Sequence, residues 1–325
     1  MKNLRHIELN IWKACNNRCI FCMSKNVPPE MLKLAEISYL KTRIKYYRDE
    51  WFNSIWYLWW DISIHPKIIE IIKYSKKIWF ESINIITNAM LFDNCDFAKN
   101  IVEAWTTRVN ISIHSHLSKI EDHLTRVKWW LKRKLIAIDN FNYLYNIGVL
   151  KEHLSINIVV NKLNYTTIVE TILYYYKIKN INDIRLNFVW LSNWVKESWH
   201  DITLTYTDFL PYLKKLIYIS IKYNIRITFD TITPCIFYKI DSINYDKLIN
   251  KFLGEQFDVI DQIEHANIDD EKEKFKWKDK KKNILKIRKK TCKKCIYYNS
   301  CEWIWKEYNS LYWFNEFKPI LYDKV

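Results

Sequence analysis

Ala14-Cys15-Asn16-Asn17-Arg18-Cys19-Ile20-Phe21-Cys22 comes directly after an alternating apolar run, His6-Ile7-Glu8-Leu9-Asn10-Ile11-Trp12. The alternation has the period of a half-buried strand, so the cysteines fall on the loop at its C-terminal end. In a chain kept reduced, thiols crowded this closely read as metal or iron–sulfur ligands rather than disulfides. A [4Fe–4S] cube has four irons, and three thiolates leave one of them open. The alternative, a zinc knuckle, needs a fourth ligand and usually a Cys-x2-Cys spacing.

Working outward, strand-like runs near 6–12, 54–58, 82–87, 107–113, 154–160 and 183–189 alternate with helix-like stretches near 31–49, 66–77, 96–104, 131–147 and 165–177. Strands alternating with helices predict a parallel sheet with right-handed crossovers. Six such units suit an α/β fold of the incomplete (β/α)6 TIM-like barrel kind better than a closed eight-stranded barrel. In barrels of this kind the chemistry sits at the C-terminal ends of the strands. A further helix over 207–222 and a strand over 224–231 lead to Pro234-Cys235. The expected division is a core over 1–222 and a small C-terminal cysteine-rich extension over 223–325. Residues 241–290 form a Lys-rich connector that reads as a solvated helix or linker. No internal repeat is present beyond the strand–helix rhythm.

At 325 residues and 49% hydrophobic content the chain can bury a sizeable core. No apolar run reaches the length of a membrane span, and no signal-peptide core follows Met1, so the expected location is the cytoplasm. The formal charge of +15 invites a nucleic-acid or acidic partner, but AT-rich coding, which favours Lys, Ile, Asn and Tyr, produces the same excess. Of the eight cysteines, Cys95 stands alone and reads as an ordinary core thiol.

Glycine is nearly absent. An average chain of this length carries roughly 23, whereas this one has Gly148 and Gly254 alone, beside 16 tryptophans. Many of those tryptophans stand where the backbone calls for glycine. Trp59-Trp60 follows a strand at a sharp turn, and Trp79 and Trp105 follow helical stretches at the left-handed C′ position. Trp129-Trp130 opens a helix, Trp190, Trp194 and Trp199 punctuate a loop, and Trp303 and Trp313 lie near the C-terminus. The expectation is that most are glycine in the cell, encoded by UGA in a lineage that reads this codon as glycine.

With that substitution in mind, the motifs become specific. The Cys15–Cys22 loop, with an aromatic residue before its third cysteine, resembles the CxxxCxxC loop of the radical S-adenosylmethionine (SAM) superfamily. Trp59-Trp60-Asp61-Ile62-Ser63-Ile64-His65-Pro66 is then similar to the family's GGE motif, with Asp61 in place of glutamate. Ile85-Ile86-Thr87-Asn88-Ala89 resembles its TNG segment. Ser112 ends the fourth strand and Asn161 closes the fifth. The resemblance covers roughly residues 5–235. It implies that Cys15, Cys19 and Cys22 hold a [4Fe–4S] cluster, and that Phe21, Trp59, Trp60, Asp61, Asn88, Ser112 and Asn161 contact SAM. Ser112 and Asn161 read equally well as strand-end caps.

Cys292-x2-Cys295-x5-Cys301, followed by Glu302 and Trp303, resembles the auxiliary-cluster tails of SPASM/twitch members. Cys235 is the candidate fourth ligand; structural zinc on the same thiols is the alternative. The family implies reductive cleavage of SAM to a 5′-deoxyadenosyl radical that abstracts hydrogen from a peptide or protein side chain or a cofactor precursor. It also implies an electron donor such as a flavodoxin or ferredoxin. Because the radical performs the abstraction, no catalytic acid or base is named. The competing readings are radical modification of RNA, supported only by the charge, and a non-catalytic iron–sulfur or zinc-stabilised binding module.

Overall fold

The computed structural model describes residues 5–22, 27–191, 193–258, 263–267 and 274–322. Connector residues 259–262 and 268–273, and the side chain of Trp194, lie outside the described residues.

Strand β1 (His6–Asn10) leads through the cysteine loop to α1 (Ile37–Asp49). There follow β2 (Ser54–Tyr57), α2 (Ile68–Lys77), β3 (Ser82–Thr87), α3 (Cys95–Glu103), β4 (Arg108–Ser112), α4 (Ser118–Thr125) and α5 (Trp130–Asn146). Then come β5 (Ser155–Val160), α6 (Ile168–Lys179), β6 (Asp183–Phe188), α7 (Trp199–Ile202), α8 (Tyr206–Tyr223) and β7 (Arg226–Asp230). The C-terminal part carries α9 (Pro234–Ile240), α10 (Tyr245–Asp258), β8 (Ile263–Asn267), β9 (Lys274–Lys276), α11 (Trp277–Lys280), β10 (Lys286–Ile287), β11 (Ile304–Trp305) and α12 (Lys306–Tyr312). The stretch expected as one helix over 31–49 is two pieces. A 3-10 turn begins with proline at Pro29 and ends on extended Lys33, and α1 starts afresh after extended Glu36. Cys95, expected in the core, is exposed at the start of α3, off the helix's buried stripe of Ala98, Ile101 and Val102.

Strands β1 to β7 lie side by side in sequence order, each parallel to the next, and curl into a half-barrel. The sheet therefore continues past residue 222 through β7. On its other edge β8 adds to β1 in parallel and β9 turns back antiparallel.

Period-2 alternation divides the two faces. Ile7, Leu9, Ile55, Tyr57, Ile83, Ile85, Val109, Ile111, Ile156, Ile158, Ile184, Leu186, Ile227 and Phe229 are buried in one core with the helices. Helix α2 contributes Ile68, Ile71, Ile72 and Ser75, one stripe at helical spacing. The alternate positions Glu8, Asn157, Arg185, Asn187, Thr228 and Asp230 are only partly buried or exposed, which leaves the concave face polar. At about 25 cal/mol per Å2 of apolar surface, the helix-facing layer is the main stabilising term.

Candidate functional site

The cysteine loop is held from three sides. The Arg18 and Ile20 amides donate to Thr125 O and Leu124 O at the end of α4, at 3.2 and 2.9 Å. Asp61 N donates to Ala14 O at 3.1 Å, tying the loop to the turn after β2. Asn88, after β3, donates through Nδ2 to Asn16 Oδ1 at 2.6 Å and to Cys15 Sγ at 3.7 Å. Asn17 donates from its backbone to Cys15 Sγ (3.4 Å) and from Nδ2 to Cys19 Sγ (3.7 Å). Three partly buried thiols thus share one loop at the C-terminal ends of β1–β3, with N–H donors aimed at two of the sulfurs. Burial, reinforced by nearby Asp61, pushes the Cys15 thiol up to about 12, and burial raises Cys19 as well. Such groups shed their protons to a metal rather than to water. Soft sulfur donors with N–H partners fit an iron–sulfur cluster.

Asp61 is buried, and its carboxylate is used internally. Oδ1 accepts from Ser63 N at 2.8 Å, from the Ser63 hydroxyl and from Thr87 Oγ1, while Oδ2 accepts from Asn88 N at 2.7 Å. It brackets the ends of β2 and β3. Burial raises its pKa against the opposing pull of these hydrogen bonds.

Phe21 lies edge-on to His114, with ring centroids 4.7 Å apart. Trp59 and Trp60 both adopt left-handed backbone, with φ of 67° and 44°. Ser112 is partly buried at the end of β4, and its carbonyl accepts from Lys134 Nζ at 2.6 Å. Asn161 makes the strand-end cap that the sequence left open beside a SAM contact. It is fully buried, donating from Nδ2 to Val159 O (3.0 Å) and accepting at Oδ1 from Leu163 N (2.9 Å). It caps a turn, as Asx side chains do by bonding backbone two residues away.

At the C-terminus, α9 carries Cys235 toward the segment with Cys292, Cys295 and Cys301, near enough for their charges to interact. Backbone N–H groups point at all four sulfurs, that of Lys289 at Cys292. Trp303 N donates to Cys301 and Ile320 N to Cys295, both at 3.4 Å, and Lys318 N–H donates to Cys235. Burial pushes the Cys235 thiol up to about 11. This donor set fits a cluster as the N-terminal one does. Among the described residues no three ligand-type side chains stand at single-ion spacing.

The model of the Radical SAM superfamily matches residues 9–174, just over half of the 325-residue chain. The chain belongs to the radical SAM superfamily. Two solved structures of SuiB from Streptococcus suis resemble it. The SAM-bound form has a TM-score of 0.61 at 13% identity, over 82% of this chain and 58% of SuiB. The form bound to precursor peptide SuiA gives 0.60 at 14%, with the same coverage. The enzyme anSMEcpe, with bound AdoMet and the Cp18Cys peptide, has a TM-score of 0.51 at 16% identity, covering 69% of this chain and 62% of its own. At such identities the likeness is one of fold, and the chain spans 58% of the length of SuiB. No curated protein matches.

Two buried ion networks in this radical SAM chain escape a motif search. Lys134 and Glu121, both fully buried, pair at 2.6 Å. Glu121 Oε2 also accepts from the amides of His114 (2.7 Å) and Ser115 (2.9 Å), fixing the turn after β4 behind the cysteine loop. Near the C-terminal cysteines, Lys281 and Lys286 (2.9 Å) share the Glu302 carboxylate. Lys281 also stands 3.9 Å from Asp230, at the end of β7. A lysine on an apolar stripe, as Lys134 is between Leu131 and Ile138 of α5, is the one sequence signal that points to such a pair.

Proposed function

We propose that the chain is a radical SAM enzyme that cleaves SAM reductively and modifies a peptide or protein side chain. The carrying observation is the Cys15–Cys19–Cys22 loop, braced by Asn17, Asn88 and the Asp61 turn at the mouth of the half-barrel. When bound there on three thiolates, a [4Fe–4S] cluster supplies an open iron for the SAM amino and carboxylate groups and the electron that splits the sulfonium bond.

In this reading the chain's own residues position and shield. Asp61 holds the turn after β2, and Phe21, packed on His114, offers an apolar wall for the adenine. The polar concave face, with Asn157, Arg185, Asn187 and Asp230, receives the substrate. Cys235, Cys292, Cys295 and Cys301 hold a second cluster. A peptide substrate is supported by the fold shared with SuiB, solved with its precursor peptide over 82% of this chain. A flavodoxin- or ferredoxin-type donor supplies the electron. Among the described residues no helix is long and apolar enough to cross a membrane.

The test is anaerobic reconstitution followed by dithionite reduction in the presence of SAM. 5′-Deoxyadenosine and a SAM-sensitive paramagnetic signal are expected, and both vanish in Cys19→Ala. If protein made with glycine at the UGA-encoded positions produces neither, the reading fails.

A further inference from the structure

Five described helices end in the same hydrogen-bonded motif: one closes on glycine, three on tryptophan, and α4 on Arg126 (φ 57°; Arg126 N to His123 O, 3.3 Å; Val127 N to Asp122 O, 3.2 Å). At the end of α5, Gly148 has a φ of 76°; its N–H reaches Tyr145 O at 2.9 Å and Val149 N reaches Leu144 O at 2.9 Å. This is the paired bonding that closes a helix on a left-handed C′ residue. Trp51 after α1 repeats it (Trp51 N to Arg48 O, 3.1 Å; Phe52 N to Tyr47 O, 3.2 Å). Trp79 after α2 does the same (Lys76 O, 3.0 Å; Phe80 N to Ser75 O, 3.1 Å), as does Trp105 after α3 (Val102 O, 2.9 Å; Thr106 N to Ile101 O, 3.4 Å). Their φ angles are 69°, 72° and 95°. Helices α6 and α8 end instead on left-handed Asn180 and Asn224, the usual substitute.

Five more tryptophans share the anomaly: Trp59, Trp60, Trp129, Trp303 and Trp313 all have positive φ. Trp313, with φ 57° and ψ −164°, approaches a region that is essentially restricted to glycine. A Cβ in left-handed backbone costs about 1–2 kcal/mol, and packing gives little in return at several sites. Trp51, Trp79, Trp129 and Trp313 are 78%, 75%, 75% and 70% exposed.

We propose that Trp51, Trp59, Trp60, Trp79, Trp105, Trp129, Trp303 and Trp313 are glycines in the polypeptide made by the source cell, where UGA is read as glycine. The backbone thereby selects eight of the 16 tryptophan positions. At the barrel mouth the consequence is direct. As written, Trp59 begins a column of indoles, Trp59–Trp277–Trp190–Trp305, with centroid separations of 6.2, 6.5 and 4.4 Å. Glycine at 59 and 60 removes the head of that column and bares the backbone beside the cysteine loop to a ligand.

Mass spectrometry of peptides from the native protein tests the assignment: glycine is expected at all eight positions, and tryptophan at 79, 105 or 313 overturns it. A second test needs no native source. A variant with glycine at the eight positions should melt higher than the chain as written, by roughly 5–15 °C. The single change Trp56→Gly, in extended strand, should lower the melting temperature. An eight-site variant that melts no higher also refutes the proposal. Neither readout depends on SAM cleavage, so this proposal and the proposed activity fail separately.

Discussion

The two cysteine sites are built in opposite ways. The N-terminal one is local: three sulfurs lie within one loop, and the side-chain amides of Asn17 and Asn88 reach two of them. The C-terminal one is assembled from Cys235 on α9 and a distant segment, and backbone N–H groups of Lys289, Trp303, Lys318 and Ile320 do the aiming. Behind the first stands the Lys134–Glu121 pair, and behind the second two lysines on one carboxylate. In the proposed reading, three donors on a short loop leave a coordination position free for SAM, whereas four donors from separate elements close the second site.

The sharpest break of this comparison comes from single thiols. Cys19→Ala should abolish SAM cleavage entirely, whereas Cys235→Ala should remove the iron and sulfide of the second cluster alone and leave SAM-dependent 5′-deoxyadenosine formation in place. Analysis of iron, sulfide and zinc on both variants checks this, and zinc in place of the second cluster would reverse the assignment.

Next in size is the buried pair. Lys134→Met strands Glu121 without its cation and should cost about 3–5 kcal/mol. The double variant Lys134→Met/Glu121→Gln should recover part of that, as denaturant titration will reveal.

The third effect is a pH dependence. Burial holds His114 down to about 4, against an ordinary value of 6.5, despite the pull of Glu121. The unfolded chain therefore binds this proton first, and stability falls as pH drops from 6.5 toward 4, by about 3 kcal/mol for this group. His114→Gln should flatten denaturation midpoints over that window.

The smallest effect is expected of Asp61→Asn, which replaces one acceptor oxygen with a donor facing the Asn88 amide or Ser63. It should cost about 1–3 kcal/mol and lower SAM affinity without loss of iron, measured by SAM titration of the cluster signal.

Much of this was legible in the linear chain because its signals are periodic or local. Alternating strands, helical stripes and a Cys-x3-Cys-x2-Cys loop are set by neighbours a few residues apart, so the half-barrel and the position of the first cysteine site follow from them. Even the glycine deficit is a count, and the turns at Trp59-Trp60, Trp79 and Trp105 are local backbone requirements. The structure alone decided matters that depend on which distant groups meet. It brought Cys235 to the second cluster of thiols, folded Asp61 inward onto Thr87 and Asn88, turned Asn161 into a buried cap, and matched Lys134 with Glu121. A carboxylate or amide carries no mark in sequence of whether its partner will be a ligand or the protein's own backbone. Burial and hydrogen-bond competition settle that only once the chain has closed.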